Sequence, residues 1–139
     1  MIFAARAQHV TNIIEPALIK GQWVICDRFT DATRAYQGGG RGVDKNAIEL
    51  LVELVHPDIE PDLTIFLDLP VDIALQRIQG RALDRFEQEQ VAFFERVRLK
   101  YLELASDKAR IRLIQADQKP DVVAQEVIKE LRKFIGGQE

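Results

Sequence analysis

One cysteine, Cys26, among 139 residues leaves no partner for an internal disulfide, and that scarcity fits a reducing compartment. Cys26 lies in an apolar run, which predicts a buried structural thiol rather than a reactive one. Histidine is nearly as scarce, with His9 and His56 alone, and no cysteine or histidine stands at metal-ligand spacing. No apolar stretch approaches the ~18 residues that span a bilayer. After Met1 the chain meets Arg6, Gln8 and His9, unlike a signal peptide, so a cytoplasmic location without a membrane partner is expected. A net charge of −3 lacks the basic excess of a general nucleic-acid binder, so no nucleic-acid partner is expected either. Neither Gly-x-x-x-x-Gly-Lys-Ser/Thr nor Gly-x-Ser-x-Gly occurs, and even the dipeptide Gly-Lys is missing.

What is present is the composition of a folded chain: 47% hydrophobic and 29% charged residues, enough for one domain over 1–139 with a core of its own. Arginine supplies 12 of the 19 cationic side chains, a bias that suits paired hydrogen bonding to phosphate.

Helical spacing of apolar residues runs from Ile2 to about Lys20, with Gly21 as a C-cap. Trp23–Cys26 has the continuous apolar signature of a strand buried on both faces. A long polar loop, Asp27–Asp44, follows, and Asp44 is placed to cap a helix ending near Val55. Leu63–Leu67 reads as a second buried strand. A short helix, Val71–Ile78, leads through a polar Arg/Gly break to a long amphipathic helix, Arg85–Ala105. A third strand, Ile111–Ile114, precedes a closing helix over Asp121–Phe134. Strands alternating with helices predict an α/β domain around a parallel sheet, whose ligands lie beyond the carboxyl ends of the strands. Asp27 and Asp68 stand at two such ends.

Each motif admits two readings. Arg28 could grip a phosphate with paired hydrogen bonds, or close a loop against Asp27. Gly38-Gly39-Gly40-Arg41-Gly42 is an anion nest or, more in keeping with its surroundings, a flexible turn. Arg77, Arg81, Asp84 and Arg85 form either a lid that brings cations to a transferring phosphoryl group or a solvated link. Phe3 and Arg6, three apart on a helix, share a face that could stack and hydrogen-bond a base, or are a core aromatic beside a surface charge.

Taken in order, Phe3-Ala-Ala-Arg6, Pro16-Ala-Leu18, Asp27-Arg28-Phe29, Ala35-Tyr36-Gln37-Gly-Gly-Gly-Arg-Gly42, Pro61-Asp-Leu-Thr64, Leu67-Asp68-Leu69 and Leu83-Asp-Arg-Phe-Glu-Gln-Glu89 closely resemble bacterial thymidylate kinases over nearly the whole chain. The resemblance implies a partial P-loop nucleoside-monophosphate-kinase-like α/β domain, a parallel sheet flanked by helices. It also implies transfer of the γ-phosphoryl group of ATP to dTMP, with Mg2+, in a homodimer. Arg28 then matches the arginine on the dTMP phosphate, with Asp27 beside it near the metal and phosphates. Thr33 and Gln37 match positions on the thymine edge, Tyr36 the aromatic that favours deoxyribose, and Arg6 the arginine reaching a thymine carbonyl. Arg77 and Arg81 resemble lid arginines, the lid covering about 77–85, and Asp84, Arg85 and Glu87 belong to the lid-to-helix signature. The family's stacking phenylalanine stands four residues before the thymine arginine, where this chain has Ile2, so that Phe3 is the nearest aromatic. The lid is about one residue shorter than in many relatives.

The family's opening third, with the central strand and the phosphate-binding loop, has no counterpart here. Three expectations follow from the resemblance. The 139 residues are part of a dTMP kinase whose loop is encoded upstream of Met1, and alone they are inactive and marginally stable. Otherwise they are a non-catalytic dTMP-binding or dimerisation module. A kinase for another nucleoside monophosphate is the third reading, against which Tyr36 and Gln37 argue for ribonucleotides.

Overall fold

The computed structural model describes residues 2–79 and 85–137, and only the backbone of residues 78–79 and 85–89. The expected first helix forms in three parts: α1 (Ile2–His9), a π-helical segment (Val10–Ile14) and α2 (Glu15–Ile19). Pro16 accounts for the change of pitch. It donates no hydrogen bond, and its ring crowds the carbonyl four residues back, at Asn12, inside the widened turn. That turn puts Val10 and Ile14 into the core.

The polar stretch expected to be a loop is largely helical, as α3 (Thr30–Thr33) and a second π segment (Arg34–Gly40). Gly42, at φ +71°, makes the turn that ends this segment, whereas Gly39 and Gly40 lie inside it. Gly39 and Gly40 admit α6 (Arg85–Asp107) at close range: a Cβ on Gly39 would lie 2.5 Å from Lys100 Cβ, and one on Gly40 2.5 Å from Phe93 Cε2. Arg96 secures the contact by donating from Nε and Nη2 to the Gly40 carbonyl at 3.2 and 3.0 Å. Gly39→Ala is therefore expected to destabilise the fold by about 1–3 kcal/mol in urea unfolding. Gly38→Ala, where a Cβ meets only Ile48 Cδ1 at 3.3 Å, serves as the milder comparison.

The remaining elements fall within two residues of their expected bounds: α4 (Lys45–Val55), β1 (Thr64–Asp68), α5 (Val71–Gln79), β2 (Ile111–Gln115) and α7 (Pro120–Gly136). Strands β1 and β2 pair in parallel from Thr64↔Ile111 to Asp68↔Gln115. Ile48 of α4, Val71 of α5, Val97 and Leu104 of α6, and Ile111 and Ile114 of β2 form the core with Val10, Ile14 and Ala35.

Trp23–Cys26 is not a buried strand. Ile25 is 99% exposed, and Trp23, 68% exposed, lies in a T-shaped pair with Phe134 at 6.3 Å. A run with this composition becomes a strand when a neighbour takes its ladder hydrogen bonds, and among the described residues the sheet contains β1 and β2 alone. Cys26 is accordingly exposed, contrary to its apolar context.

Candidate functional site

Immediately after the exposed segment 23–27, Arg28 takes φ +65°, the one left-handed non-glycine residue among those described. This backbone conformation costs an arginine roughly 1 kcal/mol, and such outliers concentrate at ligand-binding positions. The side chain is exposed and enters no ion pair among the described residues, unlike Arg34, Arg98 and Arg110.

The following residue is gripped. Arg6 donates from Nη2 to the Phe29 carbonyl at 3.2 Å, and its guanidinium carbon lies 5.1 Å from the Phe3 ring centre and 5.2 Å from that of Phe29. The predicted shared face of Phe3 and Arg6 is thus present, with Phe29 as a second aromatic wall. Burial draws Arg6 below the usual arginine range; Cys26 opposes that pull and Arg34 reinforces it. Its Nη1 is buried and has no hydrogen-bond partner, a donor placed for an incoming acceptor.

Thr33 is buried on α3, while Tyr36 and Gln37 are half-buried on the second π segment. Tyr36 lies edge-on to Phe93 at 6.2 Å. Tyr101 of α6 is stacked on Phe66 at 4.7 Å. Burial pushes its hydroxyl up to about 12, with Tyr36 and Asp31 adding to the rise and Arg28 opposing it.

Two further aspartates are committed to arginines. Asp68, 2% exposed at the carboxyl end of β1, accepts from Arg98 Nε at 2.7 Å and Nη2 at 2.9 Å. Asp31 accepts from Arg110 Nη1 and Nη2 at 2.7 and 2.9 Å and from Arg34 at 3.1 Å. Asp27 is exposed and is the carboxylate next to Arg28. Among the described residues no three His, Cys, Asp or Glu side chains cluster to hold a metal. Arg77 lies near the carboxyl end of the sheet, donating to the carbonyl of Ala116 at 3.1 Å. Arg81 and Asp84, and the side chains of Arg85 and Glu87, lie outside the described residues.

Glu60 carries the clearest titration. Partial burial works against its charge, but hydrogen bonds from Arg110 and Lys108, each 2.7 Å, outweigh it and lower the carboxyl from 4.5 to about 2. A carboxylate lowered in the folded state stabilises it above the unfolded value, and that contribution fades as pH falls from about 4.5 through 2. Thermal melts between pH 6 and 2 are expected to show this loss, with a shallower slope for Glu60→Gln and in high salt, because Glu60 is half exposed.

Two parallel strands flanked by helices, with Asp68, Arg98 and Arg77 near the carboxyl end of the sheet, a buried Arg6 Nη1 without a partner and Arg28 in a left-handed conformation, define an α/β protein with a candidate polar site. A family model described as thymidylate kinase matches residues 1–127. The chain is 47% identical over 137 residues to the thymidylate kinase of Bordetella pertussis, covering 97% of this chain and 66% of that protein. It is 57% identical over 120 residues to that of Pseudomonas savastanoi pv. phaseolicola, covering 85% of this chain and 57% of that protein. The crystal structure of thymidylate kinase from Ehrlichia chaffeensis superposes with a TM-score of 0.74 at 34% identity, over 94% of this chain and 61% of that one. The chain belongs to the thymidylate kinase family, and it spans two thirds or less of the length of these relatives.

Proposed function

We propose that the protein phosphorylates dTMP with ATP, and that these 139 residues form the part that binds dTMP. The observation that carries the reading is Arg28: a guanidinium held in a left-handed conformation, outside any described ion pair, next to the Arg6–Phe29 contact. Arg28 holds the dTMP phosphate through paired hydrogen bonds. Arg6 offers its unpartnered Nη1 to a thymine carbonyl, with Phe3 and Phe29 as aromatic walls. Thr33 and Gln37 address the thymine edge, and Tyr36 crowds the sugar position against ribose.

An oxygen of the dTMP phosphate attacks the γ-phosphorus of ATP, and the bond to the β-bridging oxygen breaks, giving dTDP and ADP. Mg2+, when bound with ATP, neutralises charge on the β- and γ-phosphates. Asp27, exposed beside Arg28, would stand near that ion and the phosphates without being a direct ligand, while Asp31 and Asp68 are occupied by arginines. Arg77, with Arg81, supplies cations on the lid side.

Grip on the β- and γ-phosphates comes from a glycine-rich backbone loop and its lysine, and no such motif lies within these residues. The 139-residue chain alone is therefore expected to bind dTMP without measurable turnover of ATP and dTMP. Calorimetry with dTMP beside a coupled assay checks this: turnover at the rate of a full-length relative contradicts it, and absence of binding removes the dTMP site. A homodimer and a cytoplasmic location belong to the same reading.

A further inference from the structure

Arg28 is strained, and the short helix after it cannot supply the restraint. α3 has four residues, and its N-cap, Phe29 (φ −119°, ψ −142°), makes no side-chain cap bond. The Cys26 thiol meets the Arg28 carbonyl at 3.6 Å, an exposed and weak contact, and the buried contact on this segment joins Thr30 to a residue 26 positions away. Thr30 and His56 are 2% and 4% exposed, and Thr30 Oγ1 lies 2.8 Å from His56 Nε2. His56 Nδ1 lies 2.9 Å from the carbonyl oxygen of Ile59, which can only accept. In the neutral ring the proton therefore sits on Nδ1, Nε2 is an acceptor, and the Thr30 hydroxyl donates to it. The same ring lies 4.9 Å from that of Phe29. His56 is itself anchored at the end of α4, its backbone N–H donating to Val52 at 2.9 Å.

Phe29 and Thr30 are thus fixed on both sides, by Arg6 on the Phe29 carbonyl and by His56 on the Thr30 hydroxyl and the Phe29 ring. We infer that His56 is a positioning residue: through Thr30 it holds Arg28 in the left-handed conformation that presents its guanidinium to the nucleotide's phosphate. His56 touches no part of the nucleotide. The inference rests on the reading of Arg28 as the phosphate-binding arginine.

A positioning role for the phosphate differs from a general structural role in what it spares. Thymidine carries the base and sugar without the phosphate, so it reports the rest of the site. Kd values for dTMP and thymidine are to be measured by calorimetry on the 139-residue chain and on Arg28→Ala, His56→Ala, Thr30→Val and Thr30→Ser. Thr30→Val keeps the shape of the side chain and removes only the hydroxyl, which protects the test from a folding failure at His56.

Thr30→Val is expected to weaken dTMP about tenfold and leave thymidine unchanged, His56→Ala, which also removes the ring beside Phe29, to weaken dTMP more than thymidine, and Thr30→Ser to keep dTMP binding. Equal weakening of both ligands, or unchanged dTMP binding in Thr30→Val, overturns the role of His56 while Arg28→Ala still registers the phosphate contact. If Arg28→Ala does not narrow the gap between dTMP and thymidine, the phosphate reading fails and the inference falls with it.

Discussion

Arg28→Ala is expected to raise the Kd for dTMP roughly 100-fold while leaving thymidine binding unchanged. A guanidinium meeting a phosphate makes two parallel charge-assisted hydrogen bonds, which together contribute about 3 kcal/mol to affinity. Arg28→Lys keeps the charge but loses the planar fork, so it is expected to recover only about tenfold of the loss. Arg28→Gly separates strain from binding. Glycine takes φ +65° without steric penalty, so this variant is expected to gain roughly 1 kcal/mol of stability while binding dTMP as poorly as the alanine variant. Calorimetry and urea unfolding on the same preparations read both effects. A glycine variant that loses stability would show that the conformation is not strained.

The second large effect is on folding. Asp31 is 5% exposed and joins α3 to the chain leading into both strands. Its oxygens accept three hydrogen bonds from Arg34 and Arg110 and a longer one, 3.3 Å, from the Thr64 hydroxyl. Burial alone would push this carboxyl up. The hydrogen bonds and charge of Arg110, followed by the charge and hydrogen bond of Arg34, outweigh it and hold Asp31 below the usual carboxylate range. Asp31→Ala takes the most buried anion away from two guanidiniums, leaving Arg34 to Glu49 and Arg110 to Glu60. Losing these charge-assisted hydrogen bonds costs about 3 kcal/mol, a large part of the ~5–15 kcal/mol of a typical domain, so the melting temperature followed by circular dichroism is expected to fall by roughly 10 °C. Thr64→Val, which removes only the longest of these bonds, is expected to lose about 1 kcal/mol or less.

The asymmetry between what the sequence disclosed and what it did not is physical. Elements α4 to α7 and both strands are marked by local patterning, since periodicity, proline stops and short apolar runs act within a few residues. The 30–40 stretch is rich in polar residues and glycine, and its helical form depends on α6: Arg96 binds the Gly40 carbonyl across 56 positions. Trp23–Cys26 failed in the opposite sense. Its residues favour a strand, but a strand is completed by its neighbour, and none pairs with it among the described residues.

The same distinction holds at the site. Phe3 and Arg6 are three residues apart, so their shared face could be read directly, whereas Asp31 and Arg110 are 79 apart and Thr30 and His56 are 26 apart. Motif order identified Arg28 as a residue of interest, but its backbone conformation and the contacts that maintain it exist only in the folded chain.

A crystal structure of the chain with dTMP bears most directly on the identity of the anion site. The expected result is a phosphate oxygen about 2.7–2.9 Å from the Arg28 guanidinium nitrogens, with the thymine ring beside Arg6 and residues 33–37. A nucleotide whose phosphate lies elsewhere, with Arg28 still pointing into solvent, would contradict the account.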